Sequence, residues 1–201
     1  MGTNVAELPR EDPRRKYLSE GSPNTKIILL TGQPGCGKTT VIRRLVELVP
    51  DLRLAGFYTQ ELRQRGQRVG FEAMGVSSGL HGILAHTGSR SGVRVGRYGV
   101  EPERLEPLVR AELEKRADSV DVFVIDEIGT MELHCKPFIV AARRLIDGPR
   151  PVVATVALKG QGLIAEATDR ADVRLIQVSV EGRESLPETL AVWLRSLTTS
   201  P

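Results

Sequence analysis

One eight-residue stretch constrains this chain more than any other feature. Residues 32–39 read Gly-Gln-Pro-Gly-Cys-Gly-Lys-Thr and fit the spacing G-x-x-x-x-G-K-[ST]. Glycine lets the backbone N–H groups of such a loop turn inward around an anion, because no side chain blocks the approach. The stretch therefore predicts a phosphate-binding loop. Its expected contacts are Gly32, Gln33, Pro34, Gly35, Cys36, Gly37, Lys38, Thr39 and the adjoining Thr40.

The residues on either side of the loop support its assignment as a phosphate-binding loop. Residues 27–30 are a continuous apolar run, typical of a strand buried on both faces, and residues 39–49 carry apolar side chains at helical spacing. A strand, a glycine loop and a helix in this order aim the positive helix end at a phosphate. We therefore expect Lys38 to reach the β- and γ-phosphates of a nucleoside triphosphate and the Thr39 hydroxyl to ligate Mg²⁺.

A second motif follows another apolar run. Residues 122–125 are all apolar, and Asp126 and Glu127 come directly after them. Ligands of open α/β sheets bind at the carboxyl edge of the strands, where such acids would stand. We expect Asp126 to hold Mg²⁺, directly or through water, and Glu127 to polarise an attacking water. The acid pair alone is a weak pattern, since two solvated acids also fit it. Its strength comes from the phosphate loop in the same domain.

The remaining periodicity predicts an α/β fold of the phosphate-loop nucleoside-triphosphatase type. Apolar strands alternating with helices indicate a mostly parallel central sheet with helices on both faces. A turn at residues 65–67 adds an antiparallel hairpin portion. Expected strands are residues 27–30, 55–63, 69–76, 120–125, 151–156 and 173–178, with short extended segments near 83–84 and 93–95, and expected helices are residues 39–49, 101–117, 137–146 and 186–197.

Length and composition set the domain organisation and exclude some partners. We expect a flexible tail at residues 1–25, rich in proline and mixed charge, and one domain at residues 26–201. A net charge of +3 without a dense basic run, and only 4% aromatic residues, argue against nucleic acid as the main partner. Two distant cysteines fit a reduced, cytoplasmic setting. No apolar run reaches membrane-spanning length, and we expect a monomer.

Several residues keep two interpretations. Arg170 lies in an Asp-Arg-Ala-Asp stretch before the last expected strand, where it is either an arginine finger on the γ-phosphate or a surface arginine, with Lys159 a weaker rival. Glu132 is either a loop ion-pair partner or a catalytic group. Phe57 and Tyr58 belong either to the core or to the nucleotide cleft. The expected catalytic residues are Lys38, Glu127 and Arg170.

Four further stretches are more discriminating than the two motifs. They are residues 56–61 with Arg63, 68–71, 95–98 and 124–133. On these stretches the chain resembles the cancer-related nucleoside-triphosphatase family, known also from thermophilic bacteria and archaea, from about Lys26 to the C-terminus. The resemblance implies slow Mg²⁺-dependent hydrolysis of ATP, GTP and other nucleoside triphosphates, with poor base discrimination. It also implies a catalytic Glu127 directly after the Mg²⁺-associated Asp126.

Three functional hypotheses remain open from the sequence. The first is a nucleoside-triphosphate hydrolase, which the acid following Asp126 and the resemblance favour. The second is a nucleotide or small-molecule kinase, which would need an arginine-rich lid; the Gly- and Ser-rich stretch with Arg90, Arg94 and Arg97 could be misread as one. The third is a nucleotide-gated switch or RNA-associated module, which the low aromatic content disfavours. Phosphate release without an added acceptor separates the first from the second.

Overall fold

A computed structural model of the chain describes residues 25–115 and 117–198. The expected tail, residues 1–25, therefore lies outside the described residues except for Thr25. Within the described part the strands are β1 Ile27–Thr31, β2 Leu54–Gln64, β3 Gln67–Gly75, β4 His81–His86, β5 Arg94–Val95, β6 Tyr98–Val100, β7 Val122–Ile128, β8 Val152–Val156 and β9 Val173–Gln177. The α-helices are α1 Lys38–Leu48, α2 Pro102–Leu108, α3 Lys136–Ile146, α4 Leu163–Thr168 and α5 Leu186–Thr198.

All nine described strands join one sheet in the order β5-β6-β4-β3-β2-β7-β8-β1-β9. The half from β2 to β9 is parallel, and the half from β2 to β5 is antiparallel. The expected mostly parallel sheet with an antiparallel portion is confirmed. Because β8 lies between β1 and β7, one strand separates the phosphate loop from the acid pair.

Helices cover both faces of the sheet, as expected. Apolar side chains of α2, α3 and α4 pack on one face around Phe57, Phe123 and Phe138. Helices α1 and α5 pack on the other face, where Ile42 and Leu190 are fully buried. Each such side chain stabilises the fold by roughly 1.5–3 kcal/mol through removal of apolar surface from water. The two layers hold the carboxyl ends of the parallel strands in fixed positions.

The helix expected at residues 101–117 ends earlier and changes its winding. Helix α2 contains Pro107, which lacks a backbone N–H, and is followed by a π-helical segment, Val109–Leu113. Within that segment Glu112 is fully buried. Its carboxylate accepts hydrogen bonds from the backbone N–H groups of Gly56 (2.9 Å), Ser77 (3.0 Å) and Ser78 (2.6 Å), and from the Ser77 hydroxyl. A charge inside the core thus ties three segments together.

Two other expectations need correction. Strand β7 runs through Asp126 and Glu127 to Ile128 instead of ending before the acids; its pairing with β8 is irregular after Ile125 and resumes at Ile128. Strand β9 was expected to be buried, but it is the last described strand of the sheet, and Leu175 on it is 49% exposed. Helix α4 and strand β6 were not predicted from the sequence, whereas the extended segment expected near residues 93–95 is present as β5.

Candidate functional site

The glycine loop leaves β1 and enters α1 at the carboxyl edge of the parallel strands. Gly32, Gly35 and Gly37 all have positive φ angles of 149°, 80° and 106°. A Cβ on Gly32 would stand 2.9 Å from the Val178 carbonyl oxygen, so glycine is required there by space as well as by backbone conformation. The Lys38 ammonium donates a 3.1 Å hydrogen bond to the Gly32 carbonyl and so closes the loop. The predicted order of strand, glycine loop and helix is present.

Asp126 links three elements at the floor of the site. Its side chain is 1% exposed. Oδ2 accepts hydrogen bonds from the hydroxyls of Thr39 (2.8 Å) and Thr59 (3.1 Å) and from the Thr59 backbone N–H (3.3 Å). Oδ1 accepts one from the Thr155 hydroxyl at 2.7 Å. A buried carboxylate needs such partners, and these come from α1, β2 and β8. The acid is therefore fixed against the end of the loop.

The oxygens gathered at Asp126 fit a magnesium ion. Thr39 and Asp126 place a hydroxyl and a carboxylate 2.8 Å apart, and both are hard oxygen donors. No cluster of three or more His, Cys, Asp or Glu that could hold a metal occurs in residues 25–115 and 117–198. Mg²⁺ does not need one, since it usually takes one or two protein oxygens and completes its shell with phosphates and water.

Glu127 lies beside the loop lysine. Its carboxylate is 3.9 Å from the Lys38 ammonium, and its side chain is 32% exposed. Partial burial raises the pKa of the Glu127 carboxyl, the Lys38 charge opposes this shift, and the Asp126 charge adds to it. Lys38 and Thr39 thus face the two consecutive acids, Glu127 and Asp126 respectively. The structure brings the two sequence motifs together.

Glu132 stands behind Glu127 and is almost fully buried. A Cβ on Gly129 would be 2.9 Å from both Glu127 Oε1 and Glu132 Oε2, so the two carboxyl groups are near neighbours. Burial raises the pKa of Glu132 to about 8; the backbone N–H groups of Glu132 and Gly129 oppose the shift, while the charges of Glu127 and Asp126 increase it. A loop ion pair in solvent, one of the two expectations for Glu132, is wrong.

A cleft of about 630 Å³ opens over these residues and extends to the antiparallel half of the sheet. Its size suits a small polar ligand. It is lined by Gly32, Pro34, Gly35, Gly37, Lys38, Thr39, Thr40, Arg43, Thr59, Gln60, Glu61, Arg68, Phe71, Glu127, Ala157 and Leu158. Two expected loop contacts are not among these residues. Gln33 points to solvent, and Cys36 is buried beneath the loop.

Arg170 was expected to be a catalytic residue, and the structure contradicts this. Its guanidinium is held by Asp147 at 2.6 Å and by Asp172 at 2.8 Å. It precedes β9, which runs parallel to β1, so it lies at the amino edge of the sheet, whereas the phosphate loop follows the carboxyl edge. Arg170 is therefore a surface arginine and does not reach the cleft. Lys159, its weaker rival, is exposed and follows the cleft residue Leu158.

The sequence analysis missed Thr59 and Thr155 as partners of Asp126. Thr155 is a fully buried polar residue in an otherwise apolar strand, and that pattern was the available signal. Phe57 belongs to the core, where its ring meets Phe138 edge-on at 5.9 Å. Tyr58 is half-buried, and the Arg43 guanidinium lies 5.7 Å from its ring centre.

Comparison with known proteins identifies the family of the chain. The sequence model of the family described as NTPase matches residues 27–191, which include the loop and both acids. The chain belongs to this family. It is 38% identical over 176 residues to nucleoside-triphosphatase THEP1 of Thermofilum pendens, covering 86% of this chain and 97% of the relative. It is 39% identical over 181 residues to the mouse cancer-related nucleoside-triphosphatase homolog, covering 82% and 95%.

Solved structures of family members share the fold. The crystal structure of THEP1 from the hyperthermophile Aquifex aeolicus is 32% identical, with a TM-score of 0.75 over 87% of this chain and 99% of that one. The solution structure of a human cancer-related nucleoside triphosphatase is 34% identical, with a TM-score of 0.72 over 85% and 98%. Among the described residues, no helix is both long and apolar enough to cross a membrane.

Proposed function

We propose that the protein hydrolyses nucleoside 5′-triphosphates, including ATP and GTP, to the diphosphate and phosphate, slowly and with Mg²⁺. One observation carries the proposal: Asp126 is bonded to Thr39 while Glu127 stands 3.9 Å from Lys38, all within reach of one glycine loop. The names of the relatives, nucleoside-triphosphatase in each case, support the same reaction. The two free, buried cysteines fit the cytoplasmic, reducing setting that we include in the proposal.

The loop binds and orients the triphosphate. Backbone N–H groups of residues 32–39, except Pro34, and the positive end of α1 surround the phosphates, and Lys38 leaves the Gly32 carbonyl to contact the β- and γ-phosphates. Thr39 and Asp126 would hold Mg²⁺, which neutralises charge on the β- and γ-phosphate oxygens when it is bound. Most of the catalysis in phosphoryl transfer comes from such positioning and charge stabilisation.

Glu127 is the residue that we assign to the water. In hydrolysis the water oxygen forms a bond to the γ-phosphorus, the bond from phosphorus to the bridging oxygen breaks, and the diphosphate leaves. The water gives up a proton, which Glu127 accepts and passes to solvent. The raised pKa of Glu127, caused mainly by burial, makes its carboxylate a better proton acceptor than an exposed glutamate.

Base tolerance is part of the proposal. The sequence has no Asn-Lys-x-Asp guanine motif after the acid strand. We therefore expect similar turnover of ATP, GTP, CTP and UTP. A preference above roughly 10²-fold would require about 2.7 kcal/mol of base contacts and would contradict this part of the proposal.

The test is phosphate release from a panel of nucleoside tri- and diphosphates with Mg²⁺ and no added acceptor. Lys38→Ala should lose triphosphate binding and turnover while the fold survives, because Lys38 belongs to neither of the two large apolar core clusters. Lys26→Ala is the matched control, since Lys26 is exposed and precedes β1 at the far edge of the sheet. A folded Lys38→Ala protein with wild-type phosphate release would refute the assignment of this site.

A kinase remains the second candidate because of one observation. The cleft extends past the loop to Gln60, Glu61 and Phe71, which leaves room for a second substrate. The phosphate-release assay without an added acceptor distinguishes a hydrolase from a kinase. A hydrolase releases phosphate from the triphosphate alone, whereas a kinase does so only with its acceptor present.

A further inference from the structure

Two stretches that the hydrolysis mechanism does not use meet at the far wall of the cleft. Arg68 and Phe71 come from β3, and Tyr98 comes from β6. The Arg68 guanidinium lies 5.1 Å from the centre of the Phe71 ring and 5.9 Å from that of Tyr98. The two rings contact each other edge-on at 5.2 Å. Sequence positions thirty residues apart thus form one cluster around a single arginine.

Hydrogen bonds fix the direction of that arginine. Arg68 Nε donates to the Tyr98 phenol oxygen at 2.9 Å, and Nη1 donates to Glu61 Oε1 at 2.8 Å. Arg97 donates a 2.6 Å bond to the Arg68 carbonyl and so braces its backbone. Within residues 25–115 and 117–198, Arg68 Nη2 has no hydrogen-bond acceptor. The guanidinium is held on one side and open on the other.

The open side belongs to the cleft. Arg68 lines it, and its side chain is 43% exposed. The open Nη2 of Arg68 carries part of the guanidinium charge into the cleft, whereas Arg63 holds the other carboxylate oxygen of Glu61 and does not line the cleft. Such a charge facing a cleft that already holds Lys38 and a helix amino end favours an anionic ligand.

The register of β2 shows how close this charge is to the phosphate loop. Thr59 and Glu61 lie two residues apart on one strand and so point to the same face, about 7 Å apart along it. Thr59 bonds Asp126 at the magnesium-binding oxygens, and Glu61 bonds Arg68. The carboxylate that holds Arg68 is therefore two residues along β2 from the threonine that hydrogen-bonds Asp126.

We propose that Arg68 contacts the γ-phosphate of the bound nucleoside triphosphate and stabilises the charge on it during hydrolysis. The inference rests on the proposed function and deepens it, replacing the excluded Arg170. Arg68 makes or breaks no covalent bond; its Nη2–H groups donate to phosphate oxygens. Arg43, the other arginine of the cleft, lies on α1 beside the loop, whereas Arg68 comes from β3 in the antiparallel half of the sheet. Arg68 therefore completes the positive surroundings of the phosphate.

The experiment compares Arg68→Ala and Arg68→Lys with Arg63→Ala. Arg63 is the matched control because it bonds the same Glu61 but does not line the cleft. The affinities for Mg²⁺ with a non-hydrolysable ATP analogue and for Mg²⁺–ADP are measured beside phosphate release. Arg68→Ala should bind the analogue at least about tenfold more weakly, bind ADP within about twofold of wild type, and turn over ATP about 10³-fold more slowly. Arg63→Ala should match wild type in all three.

Other results would overturn the proposal. Equal loss of analogue and ADP affinity would place Arg68 at the base or ribose, and unchanged turnover would remove it from the reaction. Arg68→Lys keeps the charge and the apolar stem over Phe71, so it preserves the fold if Arg68→Ala does not, and it should still lose at least about tenfold in turnover because the planar fork is gone. If the wild type releases no phosphate, the proposed function fails, but the contrast between analogue and ADP still tests Arg68.

Discussion

The Thr39 hydroxyl donates a 2.8 Å hydrogen bond to Asp126 and so joins the first turn of α1 to β7. In the sheet, β8 separates β7 from β1, the strand that leads into α1. Residues 87 positions apart in the chain are thereby held as one pair of oxygens. The adjacent pair, Lys38 and Glu127, repeats the same connection one residue earlier on the helix and one residue later on the strand. The site therefore contains a hydroxyl–carboxylate pair next to an ammonium–carboxylate pair.

Replacing Asp126 should distinguish the role of the Thr39–Asp126 pair from that of the Lys38–Glu127 pair. Asp126→Asn removes the charge that Mg²⁺ prefers and puts an amide among four donors, three threonine hydroxyls and one backbone N–H. We expect a higher Mg²⁺ concentration for half-maximal turnover and at least about tenfold lower maximal turnover. A Mg²⁺ titration of phosphate release measures both. Asp121→Asn is the control, because Asp121 precedes the same strand and is paired with Arg53 on the surface.

Glu127→Gln should affect the reaction and not the binding. The carboxylate stands next to the triphosphate site, so its neutralisation removes a repulsion and leaves Mg²⁺–ATP affinity equal to or better than that of wild type. Turnover should fall about 10²–10⁴-fold, the usual range for loss of a positioned acid–base group. A binding titration beside the phosphate-release assay checks this, with the exposed Glu47→Gln on α1 as control. Near-normal turnover in Glu127→Gln would mean that another group orients the water.

The local motifs were readable from the sequence because they depend on neighbouring residues. A glycine loop between an apolar strand and a helix needs no distant partner to be recognised, and the acids after residues 122–125 are equally local. The same holds for most strands and helices. Arg170 was misjudged because the edge of the sheet on which a loop lies depends on strand direction, which a single charged stretch does not reveal.

Contacts between distant segments could not be predicted in this way. Thr155 and Thr59 reach Asp126 only because β8 and β2 flank β7 in the sheet. Arg68 and Tyr98 meet only because β6 pairs with β4 next to β3. Strand order is set by packing of the whole core, so side chains joined by it carry little local signal.

Glu112 should be a stability residue without a catalytic task. Its truncation in Glu112→Ala leaves the buried N–H group of Gly56 and the backbone N–H groups of the exposed Ser77 and Ser78 without their acceptor. We expect the free energy of unfolding to fall by about 3 kcal/mol or more, since each lost bond to a buried charge costs about 1.5–3 kcal/mol. Urea unfolding measures this. Glu114→Ala is the control two residues away, because Glu114 is exposed, and a loss as large in that variant would contradict the assignment.

The pH dependence of stability should reveal Glu132. Its pKa is raised to about 8 in the folded protein by burial next to other acids, against 4.5 ordinarily. Between these values the folded state binds a proton that the unfolded chain has released, so the stability that the neutral carboxyl contributes is fully present below about pH 4.5 and is lost as the pH rises through about 8. Glu132→Gln cannot lose this proton and resembles the neutral form in shape.

The melting temperature of Glu132→Gln minus that of wild type should therefore increase from about pH 5 to about pH 9 and then level off. Subtracting one protein from the other removes the titration of groups that both share. Glu114→Gln changes an exposed glutamate, and its melting temperature minus that of wild type should not vary with pH. A constant difference for Glu132→Gln over this range would show that the carboxyl stays ionised in the folded protein. Glu127 would then face a second negative charge. That result would contradict the neutral state of Glu132 that the burial of Glu132 implies.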